Sequence, residues 1–356
     1  MTARSQVARK SLSSRLGVTE RLFASASDRT MAADIERGLE QVELGLLERI
    51  RFNDRIADVT ARYLRDAGGK RVRPLLTLLT AHLGGGITPA VLTAAEAVEI
   101  THLGSLYHDD VMDEAEQRRG VPSAHSVWGN SVAILTGDLL FARASKLIAA
   151  IDGAAMVAQT ETFERLVLGQ LHETVGPQPG EDPVQHYLGV LRDKTGALIA
   201  AAAEWGIVFS GAPMEYRRPV GLFGERIGVA FQLIDDVIDL SAEAEETGKV
   251  PGTDLRQGVP TLPLLYLRRR ALTDPADRDL LLRIETLVHA VDTGAEPADA
   301  LDAPIAELRA HDVTAETTAE ARRWAADAVA ALEPLPDGTV KRARVRFADL
   351  LVERSN

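Results

Sequence analysis

Two acidic pentads have a spacing that could do chemistry: Asp109-Asp110-Val111-Met112-Asp113 and Asp235-Asp236-Val237-Ile238-Asp239. Each follows a mostly apolar stretch, Leu103 to His108 in the first case and Val229 to Ile234 in the second. In a helix, residues four apart share a face, so Asp109 aligns with Asp113 and Asp235 with Asp239. Like charges at that spacing repel, and unpaired carboxylates next to buried surface are costly. A positive charge must compensate in both places. The chain has no cysteine, and an oxygen-only ligand set favours a hard cation such as Mg2+. Mg2+ takes one or two protein carboxylates and completes its shell with water and substrate phosphates. Two such clusters could therefore hold several ions around one diphosphate. The plain structural alternative is a pair of solvated helix ends; one pentad alone would leave it open, whereas two near-identical ones after apolar runs argue against it.

A diphosphate site also needs fixed cations. Lys70-Arg71-Val72-Arg73-Pro74 follows Gly68-Gly69; glycine lets a backbone approach phosphate closely, and arginine offers a bidentate fork. Arg118-Arg119-Gly120 comes just after the first pentad, Lys194-Thr195-Gly196 opens a small-residue segment, and Lys249 follows the second pentad. Each alone reads as an ordinary solvent-facing loop. Together they supply cations near both acidic clusters.

The elements that must position these residues read as helices nearly throughout. Apolar/polar alternation is scarce and aromatic residues make up 4% of the chain. Gly, Pro and Asp clusters punctuate segments expected to be helical at 31–66, 71–83, 89–113, 122–150, 154–175, 183–210, 214–241, 259–272, 276–293, 298–310, 315–333 and 338–354. Connections are short, which gives an all-α fold class and a single-domain helical bundle over 31–356. Residues 1–30 are expected to form a flexible N-terminal tail. Its first 19 residues carry Arg4, Arg9, Lys10 and Arg15 and no acid, a composition shared by unstructured basic tails and organelle transit peptides.

The 356 residues, 46% of them hydrophobic, are ample for a large core. The net charge of −12 argues against a nucleic-acid partner, which needs a basic face. No apolar run is long enough to span a membrane, and no secretory segment is evident, so the expectation is an intracellular, cytoplasmic protein.

From about Arg62 to the C-terminus the chain resembles the trans-isoprenyl diphosphate synthase (polyprenyl synthetase) family. The resemblance rests on Gly69-Lys70-Arg71-x-Arg73-Pro74, His102, His108 with the first pentad, Arg118-Arg119-Gly120, Gly169-Gln170, Lys194-Thr195, Phe231-Gln232 with the second pentad, Gly252-Thr253-Asp254-Leu255 and Thr261-Leu262-Pro263. It implies helices around a deep central cavity, a homodimer, and a prenyltransferase that condenses isopentenyl diphosphate with an allylic diphosphate. It also implies that Asp109, Asp113 and Asp235 bind Mg2+, about three ions per site, with Asp110, Asp236 and Asp239 completing the catalytic carboxylates. Arg118, Lys194 and Lys249 would hold the allylic diphosphate; Lys70, Arg73, His102 and Arg119 would hold isopentenyl diphosphate; Thr195 and Gln232 would flank the developing carbocation. One position departs from the family pattern: Val259 stands in Gly258-Val259-Pro260-Thr261, where many members have lysine.

Chain length is expected to be governed below the first pentad. Ser105 and Gly104 lie about one turn beneath Asp109, with Thr101, Val98, Ala97 and Ala94 further along the same helix. In the resembled family, bulky residues at the first two positions stop elongation early, so their small size favours a long product. Close helix packing is the other reason for small residues there, and Met156, Phe163 or Val167 could form a deeper floor. The alternatives are a geranylgeranyl or farnesyl diphosphate synthase, a class I terpene cyclase, or a non-catalytic synthase subunit. The cyclase reading lacks its usual Asn/Ser/Glu metal motif here, and the subunit reading conflicts with two intact pentads.

Overall fold

The computed structural model describes residues 28–241 and 251–353. In chain order its helices are α1 (Arg29–Arg49), α2 (Arg55–Asp66), α3 (Val72–Ala81), α4 (Pro89–Met112), α5 (Ala124–Trp128), α6 (Asn130–Ile151), α7 (Ala155–Val175), α8 (Pro183–Leu191), α9 (Ala197–Ser210), α10 (Arg217–Asp239), α11 (Thr253–Arg256), α12 (Leu262–Arg270), α13 (Pro275–Asp292), α14 (Asp302–Ala310), α15 (Asp312–Ala330) and α16 (Thr339–Glu353). A π-helical turn, Arg192–Gly196, joins α8 to α9. The described strands are the two-residue β1 (Gln117–Arg118) and β2 (Val121–Pro122), paired antiparallel with Arg118 opposite Val121. The all-α expectation therefore holds. Residues 1–27, most of the expected tail, lie outside the described residues, as does Lys249.

Two segments expected to be continuous helix are broken. The 31–66 stretch divides at Arg51–Asp54, where Asp54 turns extended and accepts from the amides of Ile56 and Ala57, both at 2.9 Å. A capping side chain of this kind satisfies donors that a helix start leaves bare. The 122–150 stretch divides at Gly129, whose φ of 84° ends α5 and starts α6. Other starts follow their caps: Thr88 accepts from Val91, and Asp182 accepts from Val184 ahead of a helix opening on Pro183.

The chain forms two compact units, residues 28–164, 198–224 and 331–346 in one and 165–241, 251–330 and 347–353 in the other. The first is organised around α4, which is buried along most of its length: Val91, Val98, Ile100, Leu103 and Tyr107 are inaccessible to solvent. Tyr107 ties α4 to α2. Its hydroxyl donates to Thr60 O and accepts from Leu64 N at 3.2 Å. Glycines bring backbones together in this unit: a Cβ on Gly206 of α9 would fall 2.9 Å from Ala81 N, and Thr77 of α3 donates to Ala202 O at 2.8 Å. The second unit has its core in Leu233 and Ile234 of α10, Leu262 and Leu267 of α12, Leu280 and Ile284 of α13, and Val313 of α15.

Candidate active site

In the first unit α4 carries the acidic pentad to its C-terminal end, where Asp113 is the cap residue. The three acids diverge. Asp110 is fully buried, Asp109 is half-buried and Asp113 is exposed. Asp110 accepts from Arg118 Nε at 2.5 Å, which draws the β1–β2 hairpin onto the helix end. Its Oδ2 is buried without a hydrogen-bond partner. Burial lifts its carboxyl above the usual carboxylate range, opposed by Arg118.

The basic motifs converge next to this pentad. Gly68 and Gly69 have φ of 103° and 148°, and Arg71 is left-handed at φ 52° as α3 begins. A Cβ on Gly69 would lie 2.5 Å from Arg71 Nη1 and 3.0 Å from Arg119 Cζ, so the turn requires glycine. Arg71 is committed to structure: it donates to Glu43 at 2.6 Å and to Glu99 at 2.9 Å. Arg119, at the hairpin tip, donates to Leu64 O at 2.9 Å and to Gly68 O, which satisfies carbonyls at the end of α2. Burial pushes its guanidinium down to about 10. Arg73 has a buried Nε without a partner, and burial lowers it against the pull of Glu99 and Asp109. His102 stands among Arg73, Arg119, Arg71 and Arg118; burial first, then these cations, hold its imidazole well below its ordinary value and therefore neutral. Lys70 is exposed at the same turn. So dense a cluster of cations, one with an orphaned buried donor, suits an anion of high charge.

Gly104 and Ser105 have separate surroundings. A Cβ on Gly104 would meet Phe141 Cε1 at 3.1 Å and Gly137 O at 3.3 Å, so this glycine serves the close crossing of α4 and α6. Phe141 packs against Phe163 with ring centroids 4.5 Å apart and the rings tilted by 53°. Ser105 is buried and donates to His102 O at 2.9 Å.

In the second unit the other pentad ends α10 and repeats the pattern. Asp236 is buried, while Asp235 and Asp239 are half-buried. Tyr187 of α8 donates to Asp236 Oδ2 at 2.7 Å. Burial pushes the Asp236 carboxyl up to about 8, partly offset by that hydrogen bond and reinforced by Asp254 and Asp235. The Gly252-Thr253-Asp254 turn wraps the pentad's end: Gly252 N donates to Asp239 O at 2.7 Å and Asp254 N to Asp239 Oδ2 at 3.1 Å. Gln232, one turn before Asp235, is half-buried. Lys194 and Thr195 lie on the π-helical turn, with Lys194 paired to Glu173. Val259 is 38% exposed and leaves its position without a side-chain charge.

Among the described residues no group of three or more His, Asp or Glu side chains is close enough to hold a metal by protein ligands alone. Mg2+ takes one or two protein carboxylates and completes its shell with water and phosphate. The orphaned Asp110 Oδ2 and the crowding of Asp235, Asp236 and Asp254 both call for nearby positive charge. Tyr187 and the partners of Arg71 have no motif of their own; only the polar spacing around Glu43 and Glu99 could have hinted at them.

An all-α chain with two anchored aspartate pentads and a cluster of arginines around His102 has the features of a metal-dependent diphosphate enzyme. The chain belongs to the polyprenyl synthetase family, whose model matches residues 54–290, and is accordingly a prenyltransferase. It is 42% identical to a nonaprenyl diphosphate synthase of Mycobacterium tuberculosis over 92% of this chain and 95% of that one. Among solved structures it is similar to a decaprenyl diphosphate synthase of Rhodobacter capsulatus, with TM-score 0.79 and 33% identity over 92% of this chain and 99% of that one. It also matches a geranylgeranyl pyrophosphate synthase of Corynebacterium glutamicum crystallised with calcium and isoprenyl diphosphate, with TM-score 0.78 and 38% identity over 93% and 98% of the two chains.

Proposed function

We propose that the protein is a Mg2+-dependent polyprenyl diphosphate synthase that adds isopentenyl units to an allylic diphosphate and makes a long-chain product. The observation that carries this reading is the shared build of the pentads: in each, the second aspartate is buried on a protein partner, Arg118 or Tyr187, and the flanking aspartates are more open. Asp109, Asp113 and Asp235 would hold the metal, and Asp239 is fixed by the turn that follows it. Bound Mg2+ supplies charge neutralisation for the departing diphosphate.

The remaining steps belong to this chain's side chains. Lys194, with Arg118 and Lys249, binds the allylic diphosphate and stabilises its oxygens as the carbon–oxygen bond breaks. Thr195 and Gln232 offer dipoles to the allylic cation. Lys70, Arg73, Arg119 and neutral His102 orient isopentenyl diphosphate so that its double bond attacks that carbon. The proton lost on forming the new double bond passes to the released diphosphate, so no dedicated protein base is required.

A long product is supported by the small residues before the first pentad and by likeness to nonaprenyl and decaprenyl synthases. A twenty-carbon product is the competing outcome, favoured by the Corynebacterium likeness and by Phe141 against Gly104. We read the protein as a cytoplasmic homodimer. Among the described residues no helix is long and apolar enough to cross a membrane, and α6 exposes Ile134, Leu135 and Leu139, an apolar face suited to a second copy. Purified protein, Mg2+, labelled isopentenyl diphosphate and each allylic primer in turn test the reaction, with dephosphorylated products sized by chromatography. Products of thirty-five carbons or more support the long-chain reading, and Ser105→Phe shortens them. A product that stops at twenty carbons refutes it.

A further inference from the structure

The π-helical turn Arg192–Gly196 carries Lys194 and Thr195. Such a turn holds one residue more than an α-turn and frequently occurs at functional sites. Something must keep it from relaxing, because loss of the extra residue would rotate the side chains on one side of it by about 100°. Two glycines make room for it. A Cβ on Gly169 would lie 2.5 Å from Lys194 N and 3.0 Å from the Asp193 carbonyl carbon, and one on Gly196 would lie 2.8 Å from Glu225 O. Arg165 supplies the clamp. Its Nε and Nη2 donate to Asp193 Oδ1 at 3.0 and 2.7 Å, and Nη2 also donates to Glu225 Oε2 at 2.7 Å. One planar guanidinium thus joins α7, the turn and α10 at the residue preceding Lys194.

We infer that Arg165 is a positioning residue for the allylic half-site: by bridging Asp193 and Glu225 it holds the π register and so fixes where Lys194 Nζ and Thr195 Oγ1 stand. Arg165 itself touches no substrate. The inference rests on the proposed role of Lys194 and Thr195. Lysine would not replace it, because a point charge lacks the fork that meets both carboxylates. The three side chains are 39%, 22% and 21% exposed. These side chains are partly buried, so the clamp also contributes to stability, and Tm is read beside the kinetic constants to separate a catalytic effect from a folding effect.

The test compares Arg165→Met, Arg165→Lys, Asp193→Asn and Lys194→Ala with wild type. Each is measured for kcat, for the two substrate KM values separately, for the Kd of an unreactive allylic thiodiphosphate, and for Tm. The expected result is an allylic KM and analogue Kd raised about tenfold in Arg165→Met and Asp193→Asn, an isopentenyl diphosphate KM within about twofold, and a Tm within a few degrees of wild type. Arg165→Lys recovers at most part of the loss. Wild-type allylic constants in Arg165→Met and Asp193→Asn, beside an impaired Lys194→Ala, overturn the positioning role alone. Wild-type allylic constants in Lys194→Ala overturn the assignment of Lys194, and the positioning role with it. Equal changes in both KM values with a large fall in Tm mark a purely structural clamp and also overturn the inference.

Discussion

Arg344 is the residue whose environment departs furthest from its type. It is fully buried on α16, and its three guanidinium nitrogens have no hydrogen-bond partner among the described residues. Its guanidinium carbon lies 5.4 Å from the Phe223 ring centroid, and burial pushes its pKa down to about 9. An unpaired buried charge opposes folding, so Arg344→Met is expected to raise stability by about 1–4 kcal/mol, the range found when buried charges give way to apolar groups. Because the folded value lies below the unfolded one, the unfolded chain binds more protons above about pH 9. Wild-type stability therefore rises as pH passes through 9, and Arg344→Met loses that slope. Urea unfolding at pH 8 and pH 10 checks both points. The acidic pentads and arginine motifs were legible in the sequence because charges beside apolar runs need a reason. Arg344 was not, since nothing in Lys341 to Arg346 marks which of four cations turns inward. The division of labour within each pentad was equally invisible: Asp110 and Asp236 are as acidic in sequence as their neighbours, and only Arg118 and Tyr187 set them apart.

At the scale of the element, short irregular segments determine the site. The Gly68–Arg71 turn, the 117–122 hairpin and the π-helical turn place five of the basic residues. Gly69→Ala puts a Cβ into Arg71 and Arg119 at a left-handed φ, strain on the order of 1–3 kcal/mol. The expected outcome is a KM for isopentenyl diphosphate raised about tenfold, with a smaller change in allylic KM, measured by varying each substrate at saturation of the other. Periodicity found the long helices, since α4, α6 and α10 bury continuous apolar faces. It missed the break at Asp54 because local capping chemistry overrode an otherwise helical pattern. The π register was hidden because its cause, the Arg165 clamp and two glycine contacts, comes from residues distant in sequence.

At the scale of the whole molecule, all-α composition and ordered motifs made the family legible, whereas self-association depends on surface exposure that composition does not report. Leu135 is 62% exposed, beside Ile134 and Leu139 on α6. On the homodimer proposed above, Leu135→Asp is expected to shift the protein from dimer to monomer in sedimentation velocity, because a buried unpaired carboxylate would cost several kcal/mol at the interface. The central claim is that both pentads serve one Mg2+-dependent condensation. Its most direct measurement is the rate of isopentenyl incorporation by wild type, Asp109→Asn and Asp235→Asn at saturating Mg2+ and both substrates. Asparagine keeps the shape and removes the charge, so each variant is expected to lose at least about 100-fold in kcat. A near-wild-type rate in either variant would contradict the account.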